Sequence, residues 1–236
     1  MVVEVENARL WVEDAGDGPP VVFLHGGLGD SRLWAPVIER LRDSFRCIAF
    51  DFRFYGRSEA EELEWRHDDD VVAVLDALGV ERAALVGLSM GGRVALETAL
   101  RHPERVDAVV HVAGAVRPFD LGPEVEAAYE AVETPEQEME VDLALWAPLG
   151  ADDSLRELWR ATPEARGIAW QATRAEPEFD RVAAPISVIT AAHDPAPFRA
   201  HAAELPAVEA VEVDSDHYLT LREPDRVAAL IRRFLG

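Results

Sequence analysis

The order of apolar and polar positions along the chain predicts strands that alternate with helices. Apolar and polar residues alternate over Val3–Glu13, around Asn7-Ala8, which predicts an antiparallel hairpin. Continuous apolar runs follow, as expected of strands that are buried on both faces of a sheet. These runs are Val21–Leu24, Cys47–Phe50, Ala83–Val86, Val106–Val112, Ile186–Thr190 and Val208–Val213.

Segments with helical character separate these runs. They are Leu33–Arg42, His67–Leu78, Arg93–Arg101, Pro197–Leu205 and Pro224–Leu235. The apolar side chains of His67–Leu78 share one face, and the aspartates of its first turn suit the positive end of the helix dipole. Strands that alternate with helices form a mostly parallel, doubly wound sheet with both faces covered. The predicted fold class is therefore α/β, with an N-terminal antiparallel hairpin.

The alternation stops between Arg117 and Asp180. This stretch lacks a strand-like run, is rich in acidic residues, and has helical patches that carry Trp146, Trp159 and Trp170. We interpret residues 117–180 as a small helical lid inserted into a core domain formed by residues 1–116 and 181–236. The tryptophans are candidates both for the core of this helical layer and for apolar substrate contacts.

Composition and charge narrow the possible functions. The chain has 236 residues and a formal net charge of −22, and all of its basic side chains are arginine. This charge repels phosphate groups, so we expect neither nucleic acid nor an anionic membrane as a partner. The first residues lack the basic and apolar regions of a signal peptide, and no apolar run is long enough to span a bilayer. We therefore predict a cytoplasmic protein.

Cysteine and histidine usage gives no indication of a metal centre. The single cysteine, Cys47, rules out an internal disulfide and lies in an apolar run, as a buried structural thiol does. No His-x-x-x-His pattern or cluster of Asp and His appears in the sequence, so we expect no metal.

The candidate chemistry is centred on Gly87-Leu88-Ser89-Met90-Gly91. A strand that turns sharply into a helix through Gly-x-Ser-x-Gly forms a nucleophile elbow, which exposes the serine hydroxyl above the sheet. A serine needs an imidazole to take its proton, and the imidazole needs a carboxylate to orient it. Ligand sites of such sheets lie beyond the carboxyl ends of the strands. Asp194 and His217 follow later strands, in that order.

These motifs together resemble the α/β-hydrolase superfamily, and within it the serine esterases and lactonases with a small lid. The matching stretches are His25-Gly26-Gly27, Asp51-x-Arg53-x-x-Gly56-x-Ser58, Gly87–Gly92, His193-Asp194-Pro195 and Asp216-His217. The resemblance implies that Ser89 is the nucleophile, His217 the general base and then acid, and Asp194 the orienting carboxylate. It also implies that the backbone N–H groups of Gly27 and Met90 bind the oxyanion.

Other carboxylates compete with Asp194 for the acidic role. Asp214 and Asp216 flank His217, and some members of the family place the acid after the strand that ends near Val112. There this chain has Ala113-Gly114-Ala115, with no carboxylate. We therefore favour Asp194, and expect the adjacent His193 to be structural or solvated.

The loop after Cys47–Phe50 departs from the family pattern. Phe54 stands where the family usually has glycine, and a bulky residue does not easily adopt a positive φ, so we expect this loop to follow another path. We expect the Phe52-Phe54-Tyr55 cluster to pack beneath the lid, and Arg53 to form an ion pair or loop hydrogen bonds with Asp51. His25 is expected to be a structural residue beneath the oxyanion loop.

The resemblance implies a cofactor-free hydrolase that acts on a small carboxylic ester or lactone. Enol-lactonases, carbon–carbon bond hydrolases and perhydrolase-like enzymes share the same catalytic residues and remain alternatives, as does a slow-turnover ligand receptor. Epoxide hydrolases and haloalkane dehalogenases are disfavoured because they carry Asp where this chain has Ser89. A monomer and a homodimer are both compatible with the family. The pocket candidates are Leu28, Trp146, Trp159, Trp170 and Tyr218.

Overall fold

A computed structural model describes residues 1–61, 64–117, 120–161 and 178–236. Its strands are β1 Val2–Val5, β2 Ala8–Ala15, β3 Pro20–Leu24, β4 Arg46–Phe50, β5 Glu59–Ala60, β6 Ala83–Leu88, β7 Val106–Val112, β8 Ile186–Ala191 and β9 Glu209–Val213. Each apolar run that the sequence marked as a strand is found as one, with bounds that differ by a few residues.

The strands form a sheet in the order β1-β2-β4-β3-β6-β7-β8-β9, and β5 pairs with β2. The hairpin β1–β2 and the β2–β4 pair are antiparallel, whereas β4, β3, β6, β7, β8 and β9 run parallel to one another. Asn7, with φ of 58°, makes the hairpin turn. The predicted fold class and the N-terminal hairpin are therefore confirmed.

Helices connect the parallel strands. They are α1 Ala35–Leu41, α2 His67–Ala77, α3 Met90–Arg101, α4 Pro123–Glu130, α5 Pro135–Trp146, α6 Asp153–Arg160, α7 Ala196–Ala202, α8 Leu219–Arg222 and α9 Pro224–Leu235. Single 3-10 turns lie at Ser31–Trp34, Pro103–Arg105 and Phe179–Arg181. Among the described residues, none of the helices is both long and apolar enough to cross a bilayer.

Two apolar layers cover the two faces of the sheet. Neighbouring residues of a strand point to opposite faces, so Val22 and Leu24 join one layer while Val21 and Phe23 join the other. This arrangement explains why the central strands are apolar at every position rather than at alternate ones.

The helices α4, α5 and α6 lie between β7 and β8, within the stretch interpreted as a lid. Thr134 and Gln137 form a capping box at the start of α5, and Asp152 caps α6 by accepting from the Leu155 N–H at 3.0 Å. Local caps therefore define the helix starts here. The division of the chain into core and lid stays a prediction, and Trp170 lies outside the described residues.

Two short elements were missed by the sequence pattern. The strand β5 is two residues long and pairs with Ala8 and Arg9 of the hairpin, and α8 is four residues long. Periodicity needs more positions than such short elements supply.

The buried His111 predicts a loss of stability in acid. It lies on β7, fully buried, and neither ring nitrogen has a hydrogen-bond partner among the described residues. Burial disfavours the imidazolium and lowers the pKa of His111 from 6.5 to about 4. The unfolded chain therefore binds one more proton between these values. The contribution of His111 to the free energy of unfolding is fully present above pH 6.5 and declines as the pH falls towards 4.

We expect His111→Leu to flatten this decline by up to about 1.4 kcal/mol per pH unit, as measured by denaturant unfolding between pH 4.5 and 7. Burial also lowers the pKa of His67, to about 3. His67 therefore adds a similar dependence of the free energy of unfolding on pH, which should remain in the variant. The control is His193→Gln, because the His193 side chain is 43% exposed. An equal slope in wild type and His111→Leu would contradict this account.

Candidate active site

The turn between β6 and α3 holds Ser89 in a backbone conformation that few residues adopt. Its φ is 54°, and its N–H donates to the carbonyl of Val112 at 2.8 Å. The flanking glycines allow close backbone approach: a Cβ atom at Gly91 would lie 2.2 Å from the Leu24 carbonyl oxygen, and one at Gly87 would lie 2.2 Å from the Gly91 oxygen. The turn therefore packs so closely against the neighbouring backbone that neither glycine has room for a side chain.

Asp194 and His217 meet in a buried pair. The Nδ1 atom of His217 lies 3.1 Å and 3.2 Å from the two carboxylate oxygens of Asp194, and both side chains are almost fully buried. A carboxylate only accepts hydrogen bonds, so Nδ1 carries the proton and donates it. The lone pair of Nε2 is then free to accept a proton from another group.

Ser89, Asp194 and His217 share one edge of the sheet. They follow β6, β8 and β9, which run parallel with β7 between β6 and β8. No hydrogen bond joins Ser89 to His217 within the described part of the chain. The roles of Ser89 and His217 in catalysis stay predictions.

His25 fixes the peptide that joins Gly26 to Gly27. Its Nε2 accepts from the Phe52 N–H at 2.9 Å, so its Nδ1 carries the proton and donates to the Gly26 carbonyl at 2.8 Å. Burial lowers the pKa of His25, which keeps the ring neutral in this role. In a trans peptide the N–H points away from the C=O, so the Gly27 N–H is directed away from His25.

Two backbone N–H groups, each in the residue that follows Gly26 or Ser89, have no partner among the described residues. Neither the Gly27 N–H nor the Met90 N–H donates a hydrogen bond to any of the described residues. Met90 is the first residue of α3, where the helix dipole adds partial positive charge. A Cβ atom at Gly26 would lie 3.3 Å from the Ser89 Cβ, so the two loops are in contact. That the N–H groups of Gly27 and Met90 bind an oxyanion stays a prediction.

The sheet order, the elbow and these loops agree with the comparisons with known proteins. A family model described as alpha/beta hydrolase fold matches residues 19–134. The enol-lactonase from Burkholderia xenovorans LB400 superposes with a TM-score of 0.85 at 25% identity, covering 100% of this chain and 99% of that one. The chain has the α/β-hydrolase fold.

Other similar proteins have names that refer to the hydrolysis of different bonds. A thermophilic esterase from Thermogutta terrifontis superposes on this α/β-hydrolase with a TM-score of 0.80 at 25% identity, covering 97% of this chain and 93% of that one. A putative carbamate hydrolase from Caulobacter sp. (strain K31) is 45% identical over 103 residues, which are 41% of this chain and 38% of that protein. The chain thus matches less than half the length of this curated relative.

The loop after β4 corrects two expectations about this α/β-hydrolase. Phe54 does adopt the left-handed conformation, with φ of 68°, and the loop keeps the turn that glycine would make. Its ring packs on Trp65 with centroids 5.4 Å apart, a contact that can offset the backbone strain. Arg53 pairs with Asp70 at 2.7 Å rather than with Asp51. The prediction that Arg53 pairs with Asp51, its neighbour in sequence, was therefore wrong.

Asp51 instead joins the loops on either side of it. Its carboxylate accepts from the backbone N–H of Ser31 and from that of Arg57, both at 2.9 Å. This fully buried residue therefore holds the loop after β3 against the loop after β4.

Tyr55 approaches the oxyanion loops more closely than the sequence suggested. Its hydroxyl donates to the Met90 sulfur at 3.9 Å and lies 3.7 Å from the position of a Cβ atom at Gly27. Phe52 and Tyr55 both pack on the ring of His25. The aromatic residues of this loop therefore support the predicted oxyanion loop.

Of the predicted pocket residues, Trp146 lies against the candidate base. Its ring centroid is 4.7 Å from that of His217, and Phe198 of α7 lies 5.4 Å from His217 on the same aromatic cluster. Phe198 was not singled out from the sequence. The sequence did offer one sign of its role: Phe198 comes four residues after Asp194, in the segment that follows β8.

The other pocket candidates lie in different surroundings. Trp159 is buried in α6, and its indole N–H donates to Asp142 of α5 at 2.7 Å. Tyr218 is buried beside His217, with ring centroids 6.4 Å apart. Leu28 is partly buried and packs against the apolar layer that contains Trp159 and Tyr218. Their contact with a substrate stays a prediction.

A group of potential metal ligands forms away from this edge. Asp68, Asp69 and His102 place ligand atoms within 4.8 Å of one another, which the sequence spacing did not reveal. The guanidinium groups of Arg66 and Arg101 already pair with Asp68, at 3.0 Å and 2.6 Å. We assign no role to this group.

The close approach at Gly91 predicts that a single methyl group disrupts the elbow. In Gly91→Ala the new Cβ would meet backbone oxygens of β3 that cannot move independently, so we expect a loss of more than about 3 kcal/mol in the free energy of unfolding. The control is Gly79→Ala, where φ is 65° but no atom lies within 4 Å. We expect Gly79→Ala to lower the free energy of unfolding by only about 1–2 kcal/mol. Equal melting temperatures for the two variants would contradict the packing argument.

Proposed function

We propose that this α/β-hydrolase cleaves carboxylic esters through an acyl-enzyme on Ser89. The observation that supports the proposal is the combination of an elbow serine, a histidine whose Nδ1 is held by Asp194, and unpartnered backbone N–H groups at Gly27 and Met90. Nucleophile, base and oxyanion donors are the groups that acyl transfer requires.

In the proposed reaction, the Ser89 hydroxyl attacks the acyl carbon while Nε2 of His217 takes its proton. The charge that develops on the carbonyl oxygen is stabilised by the N–H groups of Gly27 and Met90. His217 then donates the proton to the leaving alcohol, and Asp194 stabilises the transient imidazolium. Water, activated by His217, hydrolyses the acyl-enzyme and restores Ser89.

The groups around His217 favour an apolar substrate. Trp146 and Phe198 cover one side of the imidazole with aromatic surface. Aromatic walls with a few convergent polar groups are typical of small-molecule sites. We therefore propose a small ester with an apolar substituent.

Lactones are a second candidate substrate. The likeness to an enol-lactonase extends over the full length of both chains, with a TM-score of 0.85. The same residues would open a cyclic ester, in which the leaving alkoxide stays attached to the acyl group. A comparison of kcat/KM for valerolactone and ethyl acetate separates the two, because a lactonase should prefer the ring by more than about 100-fold.

Removal of the nucleophile tests the catalytic assignment. We expect Ser89→Ala to lower turnover of p-nitrophenyl acetate by at least about 10³-fold and to abolish labelling by a fluorophosphonate, with the fold retained by circular dichroism. Ser44→Ala is the matched control, since Ser44 is an exposed serine that contacts Asp43. Full activity in Ser89→Ala would refute the proposal.

The choice of acid is tested by two Asp→Asn variants. Asp194→Asn removes the charge beside His217 Nδ1 and allows the wrong tautomer, so we expect kcat to fall by about 10³–10⁴-fold. Asp214→Asn is the control, because Asp214 pairs with the surface residue His193 at 3.0 Å. Its kcat should change less than about threefold. The opposite ranking would make Asp214 the acid.

A further inference from the structure

The residue before His217 ties two parts of the chain together. Asp216 is fully buried, and one carboxylate oxygen accepts from Arg222 Nε at 2.7 Å and from the Tyr218 N–H at 3.2 Å. The other oxygen accepts from the Leu149 N–H at 3.2 Å. Arg222 also donates to the Gly150 carbonyl. We call the pair Asp216 and Arg222 the clasp.

The clasp holds the segment that follows α5. Residues 147–150 lie directly after Trp146, and their backbone meets the clasp at both a donor and an acceptor. The His217 N–H also donates to the Trp146 carbonyl at 3.2 Å. The end of α5 is therefore bound to the loop of Asp216 and His217, and the backbone of Trp146 cannot shift without breaking these bonds.

The position of Trp146 bears on the leaving group because its ring packs on that of His217. In acyl transfer the histidine hands its proton to the departing oxygen, so the leaving group must lie beside Nε2. A side chain stacked near the imidazole then borders the space that the leaving group occupies. Trp146 and Phe198, with centroids 5.0 Å apart, form this border. Planar apolar groups gain most from contact with such rings.

We propose that Asp216 and Arg222 are positioning residues that hold Trp146 against the leaving-group side of the site and thereby favour esters of planar, apolar alcohols. This inference rests on the proposed ester hydrolysis. An arginine is suited to the role because its planar fork can bond a carboxylate and a carbonyl at once, whereas a lysine offers a single point charge.

The physical part of the inference is tested without turnover. In Arg222→Met the Gly150 carbonyl and Asp216 lose their partner, so we expect amide hydrogen exchange in residues 146–150 to quicken at least about tenfold. Arg232→Met is the matched control, because Arg232 likewise bonds a carbonyl, that of Arg40, and a carboxylate, that of Asp43, on the far side of α9. Unchanged exchange in Arg222→Met overturns the clasp.

The functional part is tested with two acetates. Benzyl and ethyl acetate share the acyl group and release alcohols of similar basicity, so the ratio of their kcat/KM values reports contact with the leaving group. We expect Arg222→Met to lower the benzyl-to-ethyl ratio about three- to tenfold and Trp146→Ala at least as much. Arg222→Lys should recover less than half of the loss, and Arg232→Met should match wild type.

The outcomes separate this inference from the proposed function. A ratio unchanged in both Arg222→Met and Trp146→Ala overturns the leaving-group assignment, even when Ser89→Ala is inactive as proposed. Equal loss for both acetates in Arg222→Met also overturns it, since the clasp would then act on the histidine alone. Hydrolysis that persists in Ser89→Ala refutes the proposed function itself, whereas the exchange measurement remains a test of the clasp.

Discussion

The strained turn at Ser89 is the constraint on which the arrangement of the site depends. A residue with φ of 54° between a strand and a helix can persist only when the surrounding backbone leaves no alternative. Here the turn is held by the Val112 carbonyl and by contacts that leave no room for a Cβ at Gly87 or Gly91. The parallel core of the sheet therefore acts as a rigid frame that places the Ser89 hydroxyl and the N-terminus of α3 at the same edge of the sheet.

The same frame brings Asp194 and His217 together. The pairing of β8 with β9 continues past the strands, since the N–H groups of Ala192 and His193 donate to the carbonyls of Val213 and Ser215 at 2.9 Å and 3.0 Å. The loops that carry Asp194 and His217 are thus extensions of a parallel ladder. A slip of the ladder by one residue would separate the buried carboxylate from the imidazole, because side chains alternate between the faces.

Sequence reasoning succeeded where the information is local. Runs of apolar residues specify strands buried on both faces, and Gly-x-Ser-x-Gly specifies an elbow because only small residues fit there. It failed where the partner is distant or where packing outweighs local preference. Arg53 pairs with Asp70 rather than the nearer Asp51, and Phe54 accepts a conformation that its side chain disfavours. The contact of Asp216 with Leu149 joins residues 67 positions apart, which no local pattern encodes.

Charge pairing explains how so acidic a chain can surround an apolar site. Buried carboxylates are costly unless they are paired: Asp51 pairs with Arg57, Asp216 with Arg222, and Asp194 with His217. The fork of arginine satisfies both a carboxylate and a neighbouring carbonyl, a task for which lysine is poorly shaped. The large negative charge therefore resides mainly on the surface, where water screens it. We therefore expect the side chains at the carboxyl edge of the sheet, rather than the net charge, to decide which substrate is accepted.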